Sequence, residues 1–250
     1  MSELQHPDAR SFERVADLYE RTRPPYPAAA IAWLVELLGI DGNATVLDLG
    51  AGTGKLTRAL VPLAARVIAV EPGPAMLSEL VRAVPEAEAI LGGAEAIPFG
   101  DHAVDAVVCG QSFHWFRHDE ALPEIHRVLR RGGGLGLIWN LRHPDDDLQD
   151  EVSSLLEPFV PPDRPAMPSS VAHLVERRLG ADIRMHVVSF EQELDADTVV
   201  ARIASISFVA SAPAAKRHEL ETALRALVER RGGVVTFRYV TEAYVTFNVG

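Results

Sequence analysis

The stretch Ala44-Thr-Val-Leu-Asp-Leu-Gly-Ala-Gly-Thr-Gly54, with Val67-Ile-Ala-Val-Glu71 after it, decides the fold. Thr45 to Leu49 is a short apolar run of the kind a parallel strand buried on both faces needs. It turns at Gly50, Gly52 and Gly54 into a helical pattern with Leu56, Ala59, Leu60 and Leu63 on one side. Val67 to Val70 reads as a second strand ending at Glu71. A strand that turns into a helix through glycines leaves backbone N–H groups facing the crevice beyond the strand end. A side chain at such a glycine is expected to occupy the ligand's place.

Spacing separates the glycine loops that bind nucleosides. A phosphate loop requires a glycine four intervening residues before Gly54-Lys55 and a Ser or Thr after the lysine; Leu49 and Leu56 stand there instead. A dinucleotide fingerprint is G-x-G-x-x-G, and this loop is tighter by one residue. Glu71, at the end of the second strand, is placed to accept from a ribose diol. Asp48 is an acid inside an otherwise apolar strand, two residues before the first glycine. It suits a cationic or amino-bearing ligand, because an anion beside pyrophosphate is repelled. S-adenosylmethionine carries both a sulfonium and an ammonium. The plainer reading makes Asp48 a strand-end residue that holds the glycine turn through backbone N–H groups.

Working outward, Pro74 opens a helix with Met76, Leu77, Leu80 and Val81 facing in. Ala89 to Leu91, Val104 to Cys109 and Leu135 to Trp139 read as further strands, with a helix over Ala121 to Arg130. Alternation of strand and helix over this length predicts an α/β fold, Rossmann-like and doubly wound. The expected sheet is mostly parallel and seven-stranded, with helices on both faces and a C-terminal antiparallel strand. N-terminal to the loop, helical patterns over Ser11 to Glu20 and around Ile31 to Leu38 flank the proline-rich Arg23-Pro-Pro-Tyr-Pro27. After Asn140 the rhythm breaks. Pro144-Asp-Asp-Asp147 reads as a solvated turn, and the five prolines from Pro158 to Pro168 form a lid or a connector. Strands are expected over Ile183 to Phe190 and Val234 to Phe247, with helices over Ala196 to Val209 and Ala214 to Arg230 between them. The chain is expected to be one domain over 1–250, with 11–140 the cofactor-binding core and 141–250 the substrate-covering segments plus the last two strands.

A net charge of -11 argues against a nucleic-acid partner, which needs a basic face to release counterions. The pairs Arg130-Arg131 and Arg230-Arg231 sit beside glycines and read as helix-end caps. Cys109 is the single cysteine, so no intrachain disulfide and no cysteine zinc site is expected, nor any metal site. No signal-peptide core opens the sequence, and the longest apolar run, Ala28 to Ile40, is broken by Glu36 and too short for a bilayer. The expectation is a cytoplasmic protein with no membrane partner.

Val46-Leu-Asp-Leu-Gly-Ala-Gly-Thr-Gly54, Val70-Glu71-Pro72, Ala94-Glu-Ala-Ile-Pro-Phe99, Val104-Asp-Ala-Val-Val108 and Leu129-Arg-Arg-Gly-Gly133 together resemble the successive motifs of class I S-adenosylmethionine-dependent methyltransferases. The resemblance is to the small-molecule group with the ubiquinone/menaquinone-type and trans-aconitate-type enzymes, and spans Phe12 to Asn140. It implies S-adenosylmethionine as cofactor and a small-molecule acceptor methylated at oxygen, nitrogen or carbon. It also implies that Gly50, Ala51, Gly52 and Gly54 line the methionine portion with Asp48 beneath, and that Glu71 binds the ribose. Met76, Ala94 and Glu95 would meet the adenine, and Cys109, Gly110 and Gln111 would flank the methionine; Tyr19 either closes over the cofactor or packs the N-terminal helix onto the sheet. Gly93 stands where many relatives carry an adenine-binding acid.

His114-Trp115-Phe116 follows the fourth strand, at the edge where substrates dock. His114 is a candidate general base. The three residues as an aromatic wall is the favoured reading, because many methyl transfers need no base. The rival to an enzyme is a non-catalytic module that binds the cofactor and senses it; a nicotinamide oxidoreductase is disfavoured by the loop spacing. The acceptor and the oligomeric state are not written in these motifs.

Overall fold

The computed structural model describes residues 23–161, 172–179 and 182–247. The helix expected over 11–20, with Tyr19, and the proline-rich run from 162 onward lie outside the described residues.

Seven strands form one sheet: β1 (Thr45–Leu49), β2 (Arg66–Glu71), β3 (Glu88–Leu91), β4 (Val104–Gly110), β5 (Leu129–Arg142), β6 (Arg184–Asp195) and β7 (Val234–Thr246). Their spatial order is β3-β2-β1-β4-β5-β7-β6. The first five pair in parallel, and β7 runs antiparallel to both neighbours. The expected seven-stranded, mostly parallel architecture is what the chain adopts. β1 and β4 lie at the centre and are buried almost throughout, which is why their sequences read as unbroken apolar runs. β6 alternates half-buried and exposed residues, as an outer strand does.

Helices α1 (Ala28–Leu38) and α2 (Lys55–Leu60) cover one face, packing Ile31, Leu34, Leu56 and Leu60 on Val46, Val108 and Ile138. Helix α3 (Pro74–Ala83) follows β2. The other face is covered by α4 (His118–Val128) and α6 (Ala172–Leu179), through Ile125, Val128 and Val175. α1 stops at Gly39, whose φ of 64° admits the left-handed cap expected of a glycine there.

A third apolar cluster stands apart from the two faces. It joins α5 (Asp147–Leu156), α7 (Ala196–Ala204) and α9 (Ala214–Arg230) to Leu194, Val235, Phe237 and Tyr239, with the short α8 (Ser207–Ala210) nearby. Its position follows from register. β5 ends at Arg142 opposite Tyr239, while β6 and β7 stay paired as far as Asp195 and Val234. The end of that hairpin therefore projects past the carboxyl end of β5, and the helices pack on the projection. The helix expected over Ala196 to Val209 is broken at Ser205 into α7 and α8.

Two readings of charge are corrected. Arg130 is not a helix-end cap, because β5 already begins at Leu129. Its guanidinium instead meets Asp105 Oδ1 at 2.6 Å, while Asp105 Oδ2 accepts from Thr45 N at 2.8 Å, tying β5, β4 and β1 together. The aspartate run is not merely solvated. Asp146 is buried and caps α5, accepting from Leu148 N and Gln149 N, while its second oxygen accepts from Arg238 N of β7 at 2.9 Å. Burial works to raise its pKa, but these bonds outweigh burial and hold the carboxylate below its usual range. Asp146→Ala removes a helix cap and strands a buried N–H, so urea unfolding should show a loss of about 3 kcal/mol. A loss below about 1 kcal/mol would contradict the capping role.

Candidate functional site

The carboxyl ends of β1, β2 and β4 meet at the glycine loop. Gly50 N and Ala51 N both donate to Val70 O, at 2.8 and 3.1 Å, folding the loop back on β2. Gly50, Gly52 and Gly54 have φ of 69°, 59° and 88°, all in the left-handed region. The reason for each glycine differs, and the ligand-space argument holds for one of them. A Cβ at Gly50 would stand 2.6 Å from the Ser112 Cβ, and one at Gly54 would stand 3.0 Å from Leu80. At Gly52 a Cβ would meet nothing within 4 Å. Gly52 is thus the glycine that faces open space.

Glu71 is 8% exposed and joins two turns: Oε2 accepts from Gly52 N and Oε1 from Gly73 N, each at 2.8 Å. A carboxylate oxygen can accept from more than one donor at once. Asp48 is fully buried under the loop. Its Oδ2 accepts from Thr57 Oγ1 at 2.6 Å, whereas Oδ1 is buried with no hydrogen-bond partner. Burial is the main force on its pKa, opposed by the Thr57 bond and reinforced by the Glu71 charge, and the carboxyl is pushed up to about 7. An orphaned buried acid next to a second carboxylate fits a cationic group in the crevice above them. That agrees with a sulfonium or ammonium and disagrees with a pyrophosphate. Among the described residues no cluster of His, Cys, Asp and Glu has metal-binding geometry.

β4 supplies the facing wall. Gln111 follows it with a φ of 56°, unusual for a residue with a side chain, and its N–H donates to Ile138 O at 2.9 Å. Ser112 is buried and donates to Leu49 O at 2.7 Å, latching this turn onto the end of β1. Cys109 is buried in the sheet core, its thiol pushed up by burial and then by the Asp48 charge. Met76 is buried in the first turn of α3. Ala94 is buried, and Glu95 Oε1 accepts from Arg117 N at 3.0 Å, at the start of α4. Arg127 donates to Ile97 O and Phe99 O, and Glu124 accepts from Ile97 N, so α4 clamps the whole 94–99 segment.

Phe113 to Trp115 form one 3-10 turn. His114 is exposed, packs against Trp115 at a tilt of 41° with ring centres 4.7 Å apart, and accepts from Trp139 Nε1 at 3.3 Å through Nδ1. Four contributors were given no role from the sequence: Thr57, Ser112, Tyr26 and Asn140. The Tyr26 hydroxyl lies 2.7 Å from where a Gly110 Cβ would be. Asn140 Nδ2 donates to Pro25 O at 3.1 Å and Oδ1 accepts from Thr241 at 2.7 Å, anchoring the Arg23-Pro-Pro-Tyr-Pro27 segment to β5 and β7. The prolines signalled an extended segment, but nothing in the spacing signalled where it lands.

This strand order, with a glycine loop between two buried carboxylates, defines the class I S-adenosylmethionine-dependent methyltransferases, and the chain belongs to that family. A model of the methyltransferase domain matches residues 47–137. An uncharacterised methyltransferase of Mycobacterium tuberculosis is 36% identical over 238 residues, covering 94% of this chain and 93% of that protein. The trans-aconitate 2-methyltransferase of an Enterobacter species is 34% identical over 140 residues, 54% of this chain and 52% of that protein. A solved structure from Anaeromyxobacter dehalogenans, provisionally assigned to the type II methyltransferases, shares the fold with a TM-score of 0.67 at 24% identity, covering 89% of this chain and 97% of that one. The cofactor is S-adenosylmethionine.

The glycine geometry separates folding from binding. Gly52→Ala should fold with a cost of about 1 to 2 kcal/mol for its left-handed backbone, yet lose the melting shift given by S-adenosylhomocysteine. Gly50→Ala, which drives a Cβ into Ser112, should destabilise the free protein more than Gly52→Ala does. Equal destabilisation, or a full ligand shift in Gly52→Ala, would contradict this assignment.

Proposed function

We propose that the chain transfers the methyl group of S-adenosylmethionine to a small-molecule acceptor. The observation that carries this reading is the unpartnered Asp48 Oδ1 beneath a loop whose Gly52 faces open space. In it, the Gly50–Gly54 loop and the Gln111 turn hold the methionine portion, and Glu71 takes the ribose diol. Met76, Ala94 and the backbone at Gly93 enclose the adenine, with Glu95 holding the α4 entry and Tyr19 closing over the ligand. The net charge of -11 speaks against nucleic acid as acceptor. Among the described residues no helix is long and apolar enough to cross a membrane. A relative named for methylating trans-aconitate supports a small acceptor.

S-adenosylmethionine supplies a methyl carbon made electrophilic by its sulfonium. The chain's task is then in-line positioning and exclusion of water. Phe113, Trp115, Phe116 and Trp139 are the residues for the second task, and the helices α5, α7 and α9 on the projecting hairpin cover the same edge. His114 belongs with the wall. A neutral imidazole that accepts at Nδ1 carries its proton on Nε2, and so has no lone pair left to take a substrate proton.

Incubation with a metabolite extract and S-adenosylmethionine, read by mass spectrometry, should yield S-adenosylhomocysteine and a methylated product. In that assay His114→Ala should lose less than about tenfold, where loss of a general base costs about a hundredfold or more. Glu71→Gln should lose most of the roughly 2.7 kcal/mol stabilisation that ligand at a hundredfold over Kd provides. Ligand binding with no turnover on any extract would favour the non-catalytic module.

A further inference from the structure

The sheet has two edges, and they are built differently. β3 closes one with only four residues, and its Glu88 is held by Arg66 of the neighbouring strand. Short length and charge are means by which proteins keep an open edge from pairing. β6 closes the other edge with twelve residues, and among the described residues it pairs with β7 alone. That pairing runs from Arg184 to Asp195 without a register break, so no bulge turns the edge away. β6 has no Lys, Pro or Gly. Its stretch Met185-His-Val-Val-Ser-Phe190 contains no Asp, Glu, Lys or Arg, and Met185 and Val187 are 45% and 48% exposed. A long, regular edge of this kind offers its outward N–H and C=O groups to another strand.

The charges of β6 say which strand fits. Arg184 stands at its start, and Glu191, Glu193 and Asp195 stand toward its end. A like strand added in parallel sets like charges side by side. A second copy added antiparallel sets Arg184 of each chain beside the acidic end of the other. A two-fold axis normal to the sheet keeps every side chain on its own face, so one residue on the axis faces its own copy. With Val188 on the axis, His186 faces Phe190, Val187 faces Ser189, and Arg184 faces Gln192, flanked by Glu191 and Glu193. No two like charges then oppose one another. With Ser189 on the axis, Val187 and Met185 face Glu191 and Glu193 instead. With Val187 on the axis, Arg184 faces Phe190 and falls short of the acids. Trp33 of α1 already stacks on His186 with ring centres 5.3 Å apart, and Phe190 of a second copy extends that aromatic row.

We propose that β6 is a homodimer interface, at which two copies of the chain pair antiparallel about Val188 into one continuous sheet. The occupant is a second copy because the strand is complementary to itself in charge and in apolar pattern. β4, β5 and β7 separate this edge from β1 and its glycine loop, so each copy keeps its own cofactor site.

The test is sedimentation velocity on the full chain at low and high protein concentration, where the wild type should run as a dimer. Val187→Glu alters an exposed position, adding an acid near Glu191 of the other copy. It should give a monomer whose melting temperature and S-adenosylhomocysteine affinity match the wild type. Arg184→Glu should weaken the dimer by about tenfold, through two equivalent contacts. Arg184→Glu combined with Glu193→Lys should recover it, because the reversed charges again meet across the axis. A wild type that stays monomeric, an open series of larger oligomers, or a dimer that persists in Val187→Glu overturns the proposal. So does a dimer weakened by Arg184→Glu that the double variant fails to recover.

Discussion

Two carboxylates sit at the ends of neighbouring parallel strands, and the protein gives them unequal company. Glu71 is engaged by two backbone N–H groups, one from each glycine turn, and so welds the loop after β1 to the turn after β2. Asp48 has Thr57 alone, through its hydroxyl and its backbone, and one oxygen with no hydrogen-bond partner. A buried anion so poorly compensated is expensive, and the carboxyl responds by holding its proton up to about pH 7. The cost is sustained by the most buried part of the sheet, where Val46, Leu47, Leu49, Val107 and Val108 surround it. Local strain and an unmet charge are stored where function needs them and supported by packing elsewhere.

The same edge of the sheet is shaped by register. Because β7 enters antiparallel between β5 and β6, its first residues overhang the carboxyl end of β5. The hairpin overhang gives α5, α7 and α9 something to pack on, and Asp146 fixes the attachment by capping α5 and binding Arg238 at once. Opposite it, Asn140 ties down the proline-rich segment that puts Tyr26 on Gly110. One helical layer, fastened by Asp146 and Gln149 to Arg238, and one extended segment, fastened by Asn140, thus frame the crevice.

Much of the parallel half was legible from the chain because its signals are local. Apolar runs, glycines at fixed spacing and Glu71 each report on a few neighbouring residues. What was illegible depended on contacts far apart in sequence. Arg130 looked like a helix cap until Asp105, on another strand, claimed it. Asp146 looked solvated because its partner, Arg238, is 92 residues away. Gly50 and Gly54 looked like ligand glycines, but their constraints come from Ser112 and Leu80.

The central claim is that the unmet charge of Asp48 waits for a cation, and proton release measures it. A unit positive charge about 6 Å away is worth about 3 kcal/mol at an effective dielectric near 20, enough to lower a pKa by about two units. A carboxyl whose pKa falls on binding gives up its proton, so affinity should rise with pH up to about 7 and then level off. Calorimetry of S-adenosylmethionine binding at pH 7, in buffers of different ionisation heat, should show release of roughly half a proton per site. That release should vanish in Asp48→Asn. Equal proton release by the wild type and Asp48→Asn, or none from the wild type, would contradict the account.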